Sequence, residues 1–396
     1  MRVRTFCGFA AVLAVLVASC SGESGDNSST TVSTTPQSTS TTPPPTSTTP
    51  PSTSTTPPAP VDSYGVPITA TTVPGPVFES LDELVDHRYA GGLGAVIVGV
   101  FEESSSAVAG TGEDGDGRPV DGDRPWQTAS LGKVFTAVAV LHLVDEGLVE
   151  LDAPVADYVD FPMSDQITVR HVMQHRSNIR DMRPVDCPDQ STVDEIKELA
   201  GIPTAPSENS DYANINYVVL GQMIGSVTGE DPGDYIRDSV FVPLGMENTY
   251  WYQSQEGPSP WWRKPESTQG VGLYDCGQLG PTIGTDGAAV TTVTDMGAFY
   301  RGLFGGALLE DETLDAMLDM DTLVFGLGYG LGIGDLTDEA FPDNNFYGFG
   351  GDGGFYGTMA FHDPEKKRTV AMFFTQGDRM NILWDLVAWA NQQTDP

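Results

Sequence analysis

The sequence predicts an α+β or α/β fold of two lobes, with strands near both chain ends and helices inserted between them. Strand-like runs stand near both ends of the folded part, at 94–101 and again at 357–362 and 369–375. Between them, residues 165–250 carry helix and loop signals with little strand character. No repeat of fixed period occurs, which argues against a solenoid or a propeller.

Residues 1–20 read as an export signal. Arg2 and Arg4 precede an uncharged apolar run from Phe6 to Ala18. A run of about 13 residues is too short for a bilayer-spanning helix, which needs roughly 20. The run closes in Val17-Ala18-Ser19-Cys20, which resembles the bacterial lipoprotein box and implies lipidation at Cys20. The alternative is an ordinary secretory signal with an incidental cysteine. Residues 21–62 form a tether: from Ser28 to Pro60, 30 of 33 residues are Ser, Thr or Pro. Such a segment buries no apolar surface and stays extended. At roughly 3.1 Å per residue it reaches on the order of 100 Å from the membrane, either as a plain spacer or as an O-glycosylated stalk.

The 396 residues hold 55 acids against 19 Lys and Arg, for a net charge of −36. That field repels phosphate backbones and excludes a nucleic-acid partner. An anionic substrate would need a local cation. With 5 His and 4 Cys, dispersed along the chain, no metal site is expected. No metal or organic cofactor is implied. Cys7 and Cys20 belong to the signal, which leaves Cys187 and Cys276 in an oxidising context. They are expected either as a disulfide, contributing on the order of 4 kcal/mol, or as two free buried thiols.

The folded part spans 73–396. Phe78 to Tyr89 has helical spacing, and Gly94 to Phe101 reads as a strand. The acidic, glycine-rich stretch Gly112 to Asp123 is expected to connect a hairpin. Ser130-Leu131-Gly132-Lys133 then opens a helix that is apolar nearly all round and ends at Gly147, which marks a buried central element. Near the other end, Asp363 to Lys367 forms the turn between two β-runs, and Asn381 to Asn391 reads as a closing amphipathic helix.

Ser130 and Lys133 lie three apart at the start of that buried helix, so their side chains share one face. A lysine in a dry core loses its proton more readily and can act as a general base toward the serine hydroxyl. Tyr212 lies on a loop just before a second apolar helix, where a phenol can supply a proton beside a cationic lysine. Asn214 offers a donor and an acceptor to hold the lysine or a substrate amide.

Together these segments resemble the serine penicillin-recognising family of class C β-lactamases, D-alanyl-D-alanine carboxypeptidases and related esterases. Thr128 to Thr136 is similar to its nucleophile segment, and Leu148 to Val155 is similar to the next stretch of the family's chain. Ile167 to Ser177 is similar to a second block, Tyr212-Ala213-Asn214 to the Tyr-x-Asn motif and Pro243-Leu244-Gly245-Met246 to a later marker. The set is ordered and covers roughly Phe78 to Asn391. The resemblance implies a β-lactamase/transpeptidase-like α+β fold, with one antiparallel sheet from both chain ends, flanking helices and a mostly helical lobe inserted between. It also implies an acyl-enzyme on Ser130, and Lys133 and Tyr212 as proton carriers.

The family's third motif, Lys-Thr-Gly or His-x-Gly, aligns with Gly351-Asp352-Gly353-Gly354-Phe355-Tyr356-Gly357. Gly351 thus stands where the resemblance implies a cation for a substrate carboxylate. Gly353 and Gly354 fall on the glycine-rich continuation, with the backbone N–H of Gly354 opposite that of Ser130 as the oxyanion hole. Arg183 is a candidate substitute cation. Other patterns are set aside. His171 and His175 have zinc-like spacing without the intervening Glu, and a structural role is expected for both. Gly326-Leu327-Gly328-Tyr329-Gly330-Leu331-Gly332 alternates like a strand and lacks the context of a dinucleotide loop. No Gly-x-Ser-x-Gly elbow occurs in the folded part.

The expectation is a lipid-anchored, exported serine hydrolase acting on a small-molecule ester or amide. One alternative is a D-Ala-D-Ala carboxypeptidase or β-lactamase acting on cell-wall peptides or β-lactams. The other is a weakly active cell-wall-binding module.

Overall fold

A computed structural model describes residues 77–89, 94–113, 119–120, 124–161, 163–181, 205–251, 283–336, 341, 344–352, 356–375 and 379–393. The strands are β1 (Gly94–Phe101), β2 (Ser106–Glu113), β3 (Trp126–Gln127), β4 (Tyr250–Trp251), β5 (Ala289–Thr291), β6 (Thr322–Val324), β7 (Leu327–Tyr329), β8 (Gly334–Asp335), β9 (Tyr347–Asp352), β10 (Gly357–Asp363) and β11 (Arg368–Phe374). The helices are α1 (Leu81–Arg88), α2 (Lys133–Asp145), α3 (Val169–Met173), α4 (Ile215–Thr228), α5 (Pro232–Ile236), α6 (Val293–Phe304), α7 (Asp311–Met317) and α8 (Arg379–Gln392).

The main sheet is antiparallel, in the order β2-β1-β11-β10-β9-β8-β7-β6. The two ends of the folded part meet near one edge, where β1 and β11, second and third in that order, pair in the register Val98↔Met372. Strand alternation divides the core between the two faces. Val96, Val98 and Val100 turn to one side and pack with Val370, Met372, Leu84 of α1 and Leu386 of α8. Ala95, Ile97, Ala371 and Phe373 turn to the other, toward α2 and α6. Because β1 and β11 are covered on both faces, their sequences are almost unbroken apolar runs.

The β1–β2 hairpin turns at Glu102–Ser105, where the Glu102 N–H donates to the Ser105 carbonyl at 2.8 Å. Gly112 to Asp123 begins in β2, where Glu113 forms an antiparallel bridge with Pro119 and the Val120 N–H donates to the Gly112 carbonyl at 3.1 Å. The run from Gly326 belongs to a second hairpin, with β6 and β7 joined at Phe325-Gly326.

α2 is the central helix of the lobe, and every residue from Lys133 to Leu141 is buried. A second sheet, β3-β5-β4, lies beside its N-terminus. Its strands of two and three residues are too short to show alternation. Its role is to hold the segment that leads into α2. No described helix is long and apolar enough to cross a membrane.

Candidate active site

The nucleophile segment is a forced turn. After β3, Ala129 takes φ 47°, a left-handed backbone that few residues other than Gly adopt, and residues 129–132 form a 3-10 turn running directly into α2. Side chains three apart eclipse in a 3-10 turn, so Ser130 and Lys133 converge. The turn is clamped from two sides. The Thr128 N–H and hydroxyl both donate to the Ala289 carbonyl of β5, at 2.9 and 3.0 Å. The Thr128 carbonyl accepts the Thr358 hydroxyl of β10 at 2.6 Å.

Lys133 is fully buried and donates to three acceptors: Ser130 Oγ at 3.1 Å, Asn214 Oδ1 at 2.7 Å and the Asp286 carbonyl at 2.6 Å. The two shorter bonds go to oxygens that can only accept. The longest goes to a hydroxyl that can also donate. When Lys133 loses a proton, its amine keeps both carbonyl bonds and turns its lone pair to Ser130. Burial lowers its pKa to about 8, opposed by the charges of Asp286 and Asp181. Asp286 is itself raised to about 6, mainly by burial and secondarily by Asp181, with Lys133 acting against the rise.

The Tyr212 hydroxyl donates to Ser130 Oγ at 2.8 Å. Burial raises its pKa well above the ordinary phenol value, which keeps the proton on the hydroxyl that donates to Ser130. Its ring lies 5.3 Å from the Lys133 ammonium, within cation–π range. Asn214, at the entry to α4, is fixed by its own backbone N–H, which donates to Asp181 Oδ1 at 2.8 Å.

The opposite wall is β9, whose backbone runs against the nucleophile turn. A Cβ placed on Gly351 would lie 2.2 Å from the Thr128 carbonyl oxygen and 2.9 Å from the Ser130 nitrogen. No side chain fits there while the strand keeps its place, so the glycine both omits the cation and permits the close approach.

The structure thus brings Ser130, Lys133, Tyr212 and Asn214 together, as expected. Gly353, Gly354, Arg183, Cys20, Cys187 and Cys276 lie outside the described residues. Sequence reasoning missed Asp181, Asp286 and Thr358, which arrive from loops and a strand with no motif of their own. His171 and His175 serve separate structural ends. His171 Nδ1 accepts the Thr168 N–H at 3.1 Å in a capping box that starts α3, whereas His175 is buried beside Tyr212. Among the described residues, no group of three or more His, Cys, Asp or Glu is placed to hold a metal ion.

A serine bonded to a buried lysine and to a tyrosine, where an antiparallel sheet meets a helical lobe, defines the class of serine penicillin-recognising proteins. The chain belongs to the Beta-lactamase family, whose model matches residues 81–388. Penicillin-binding protein 4 of Amycolatopsis lactamdurans is 31% identical over 185 residues, covering 43% of this chain and 47% of that protein. The chain spans about half the length of the curated relatives it matches. Among solved structures, the D-amino acid amidase of Ochrobactrum anthropi SV3 in complex with L-phenylalanine amide superposes with TM-score 0.68 at 23% identity, covering 80% of this chain and 98% of that one. A penicillin-binding protein from Bacillus halodurans gives TM-score 0.63 at 22% identity, covering 74% and 94%. At these identities the two structures speak for the fold.

Proposed function

We propose that the chain is an exported, membrane-anchored serine hydrolase that forms an acyl-enzyme on Ser130 with an ester or amide. The observation that carries this reading is the connected set of Lys133 Nζ, Ser130 Oγ and Tyr212 hydroxyl, joined at 3.1 and 2.8 Å. Neutral Lys133 takes the Ser130 proton as Oγ bonds to the substrate carbonyl carbon. The backbone N–H groups of Ser130 and Gly354 hold the oxyanion. As the tetrahedral intermediate collapses, the Tyr212 phenol gives its proton to the leaving oxygen or nitrogen and regains one from Lys133. Water then attacks the acyl carbon as Lys133 takes its proton, and as the bond between the acyl carbon and Oγ breaks Lys133 returns that proton to Ser130 Oγ, 3.1 Å away.

Substrates without a carboxylate suit the site, because Gly351 supplies no cation and the protein's charge is −36. Anchoring rests on Cys20 after the signal, with residues 28–60 as the spacer and the Cys187–Cys276 pair read as a disulfide. Labelling with radioactive palmitate, lost in Cys20→Ala, tests the anchor.

A second reading, a carboxypeptidase or β-lactamase acting on cell-wall peptides or β-lactams, draws on the matched relative named a penicillin-binding protein. Treating the full-length protein with a fluorophosphonate and a fluorescent penicillin, beside Ser130→Ala, separates the readings. Labelling of Ser130 by the phosphonate alone supports the esterase-like hydrolase, and labelling by both supports the second reading. Labelling by neither leaves a binding module.

A further inference from the structure

His175 holds the chain on both sides of Tyr212. Its carbonyl accepts the Asp211 N–H at 2.8 Å, and its Nδ1 lies 3.3 Å from the Ala213 nitrogen. Between those two anchors, the Tyr212 ring lies over the imidazole at 4.3 Å between centroids, with 36° between planes. One residue therefore touches the backbone before the tyrosine, the backbone after it and the face of its ring. His175 does so from φ 56°, a left-handed backbone that residues other than Gly and Asn rarely take. Strain of this kind persists where the surroundings over-determine it.

The imidazole is held in one protonation state. The Ile179 N–H donates to Ser177 Oγ at 3.1 Å, and the Ser177 hydroxyl donates to Asn216 Oδ1 at 2.5 Å. That bond turns the Asn216 amide nitrogen toward His175 Nδ1, 3.1 Å away, where it can only donate. Nδ1 is thereby an acceptor and the proton sits on Nε2, which is buried with no hydrogen-bond partner among the described residues. The Ala213 carbonyl also lies 3.1 Å from Nδ1, and it would take a proton there only if the Asn216 amide turned over against Ser177. Burial first, and then the Lys133 charge, hold His175 well below its ordinary pKa. A cationic imidazole would set N–H against N–H at Asn216 and add a second positive charge beside Lys133.

We propose that His175 is the positioning residue for Tyr212, its neutral imidazole fixing the phenol hydroxyl on Ser130 Oγ. The inference rests on the hydrolase reading of Ser130 and adds a residue to it. Tyr212 and Asn214 both stand ahead of α4, and Asn214 is tied to Asp181, so the placement of Tyr212 depends on what its own stretch of the loop is tied to.

The test is the rate of Ser130 phosphonylation in the full-length protein carrying His175→Asn. Asn accepts the left-handed backbone and keeps an acceptor near Nδ1, while the ring is removed. The rate should fall on the order of 10-fold to 100-fold, as small misplacements of a reacting group do. In a Tyr212→Phe background, the same substitution should change the rate less than about 2-fold, because the two residues act as one unit. An unchanged rate, or an equal loss in both backgrounds, would overturn the proposal. A second readout does not need activity: the 13Cζ tyrosine resonance of Tyr212, assigned by its absence in Tyr212→Phe. It should shift or broaden in His175→Asn, and an unmoved resonance overturns the proposal. If the wild type fails to label at Ser130, the hydrolase reading falls, and the resonance decides the His175 contact by itself.

Discussion

The two walls of the active site are built on opposite principles. On the helical side, three side chains near Ser130 are held by hydrogen bonds: Lys133 has three acceptors, Tyr212 is aimed at Oγ, and Asn214 accepts from Lys133 and is pinned by Asp181. On the sheet side, β9 presents bare backbone at Gly351, packed so closely that a Cβ would strike the Thr128 carbonyl. The difference separates two functions that a hydrolase must combine. The helical wall gathers the groups proposed to move protons, and at Gly351 the sheet wall offers backbone packed against the nucleophile turn and no side chain.

The largest effect belongs to the helical wall. Lys133→Ala should slow Ser130 phosphonylation by about 10²–10⁴-fold, read as a second-order rate by intact-mass spectrometry. A loss under about 5-fold would mean that the lysine is not the base. Next, Gly351→Lys should fail to create a carboxylate site. Displacing β9 from the nucleophile turn should destabilise the protein on the order of 1–3 kcal/mol and reduce acylation. Thermal unfolding with penicillin labelling checks both, and a stable variant that gains penicillin acylation would make Gly351 a simple deletion of charge.

These expectations show how much was legible in the sequence. The boundaries of β1 and of α2 were, because their apolar runs are long and bounded by Gly or polar residues. Ser130, Lys133, Tyr212 and Asn214 were, because short motifs carry them. Asp181 and Asp286 were not: each is one acid among 55, the first on a loop and the second closing the short 3-10 turn Ile283–Asp286, and tertiary packing sets where both stand. The turn-like character of Gly112–Asp123 was legible, and Glu113 and Pro119 are bridged antiparallel within it, whereas the tight β1–β2 turn at Glu102–Ser105 carries no Gly or Pro to announce it. The small sheet that clamps Thr128 was invisible because a strand of two residues has no period.

Smaller effects sharpen the comparison. Asp286 raises the Lys133 pKa, so Asp286→Asn should move the acid limb of the acylation profile to lower pH. A shift upward, or none, would remove Asp286 from the proton balance of the site. The smallest effect lies outside both walls. Burial lowers His362 to about 4, so the unfolded chain binds its proton first as pH falls below the ordinary histidine value of about 6.5. Its contribution to stability is complete above that pH and is lost progressively between there and about pH 4. Denaturant midpoints at pH 7 and pH 5 should differ less in His362→Asn than in the wild type, and equal differences would exclude His362 as a source.

The measurement closest to the central claim is the pH dependence of Ser130 phosphonylation in the wild-type protein. If buried Lys133 is the base, the rate rises in a single step centred near pH 8, where burial places its titration. A rate that is flat across pH 6–10, or that rises only near the ordinary lysine value of about 10.4, would contradict the account.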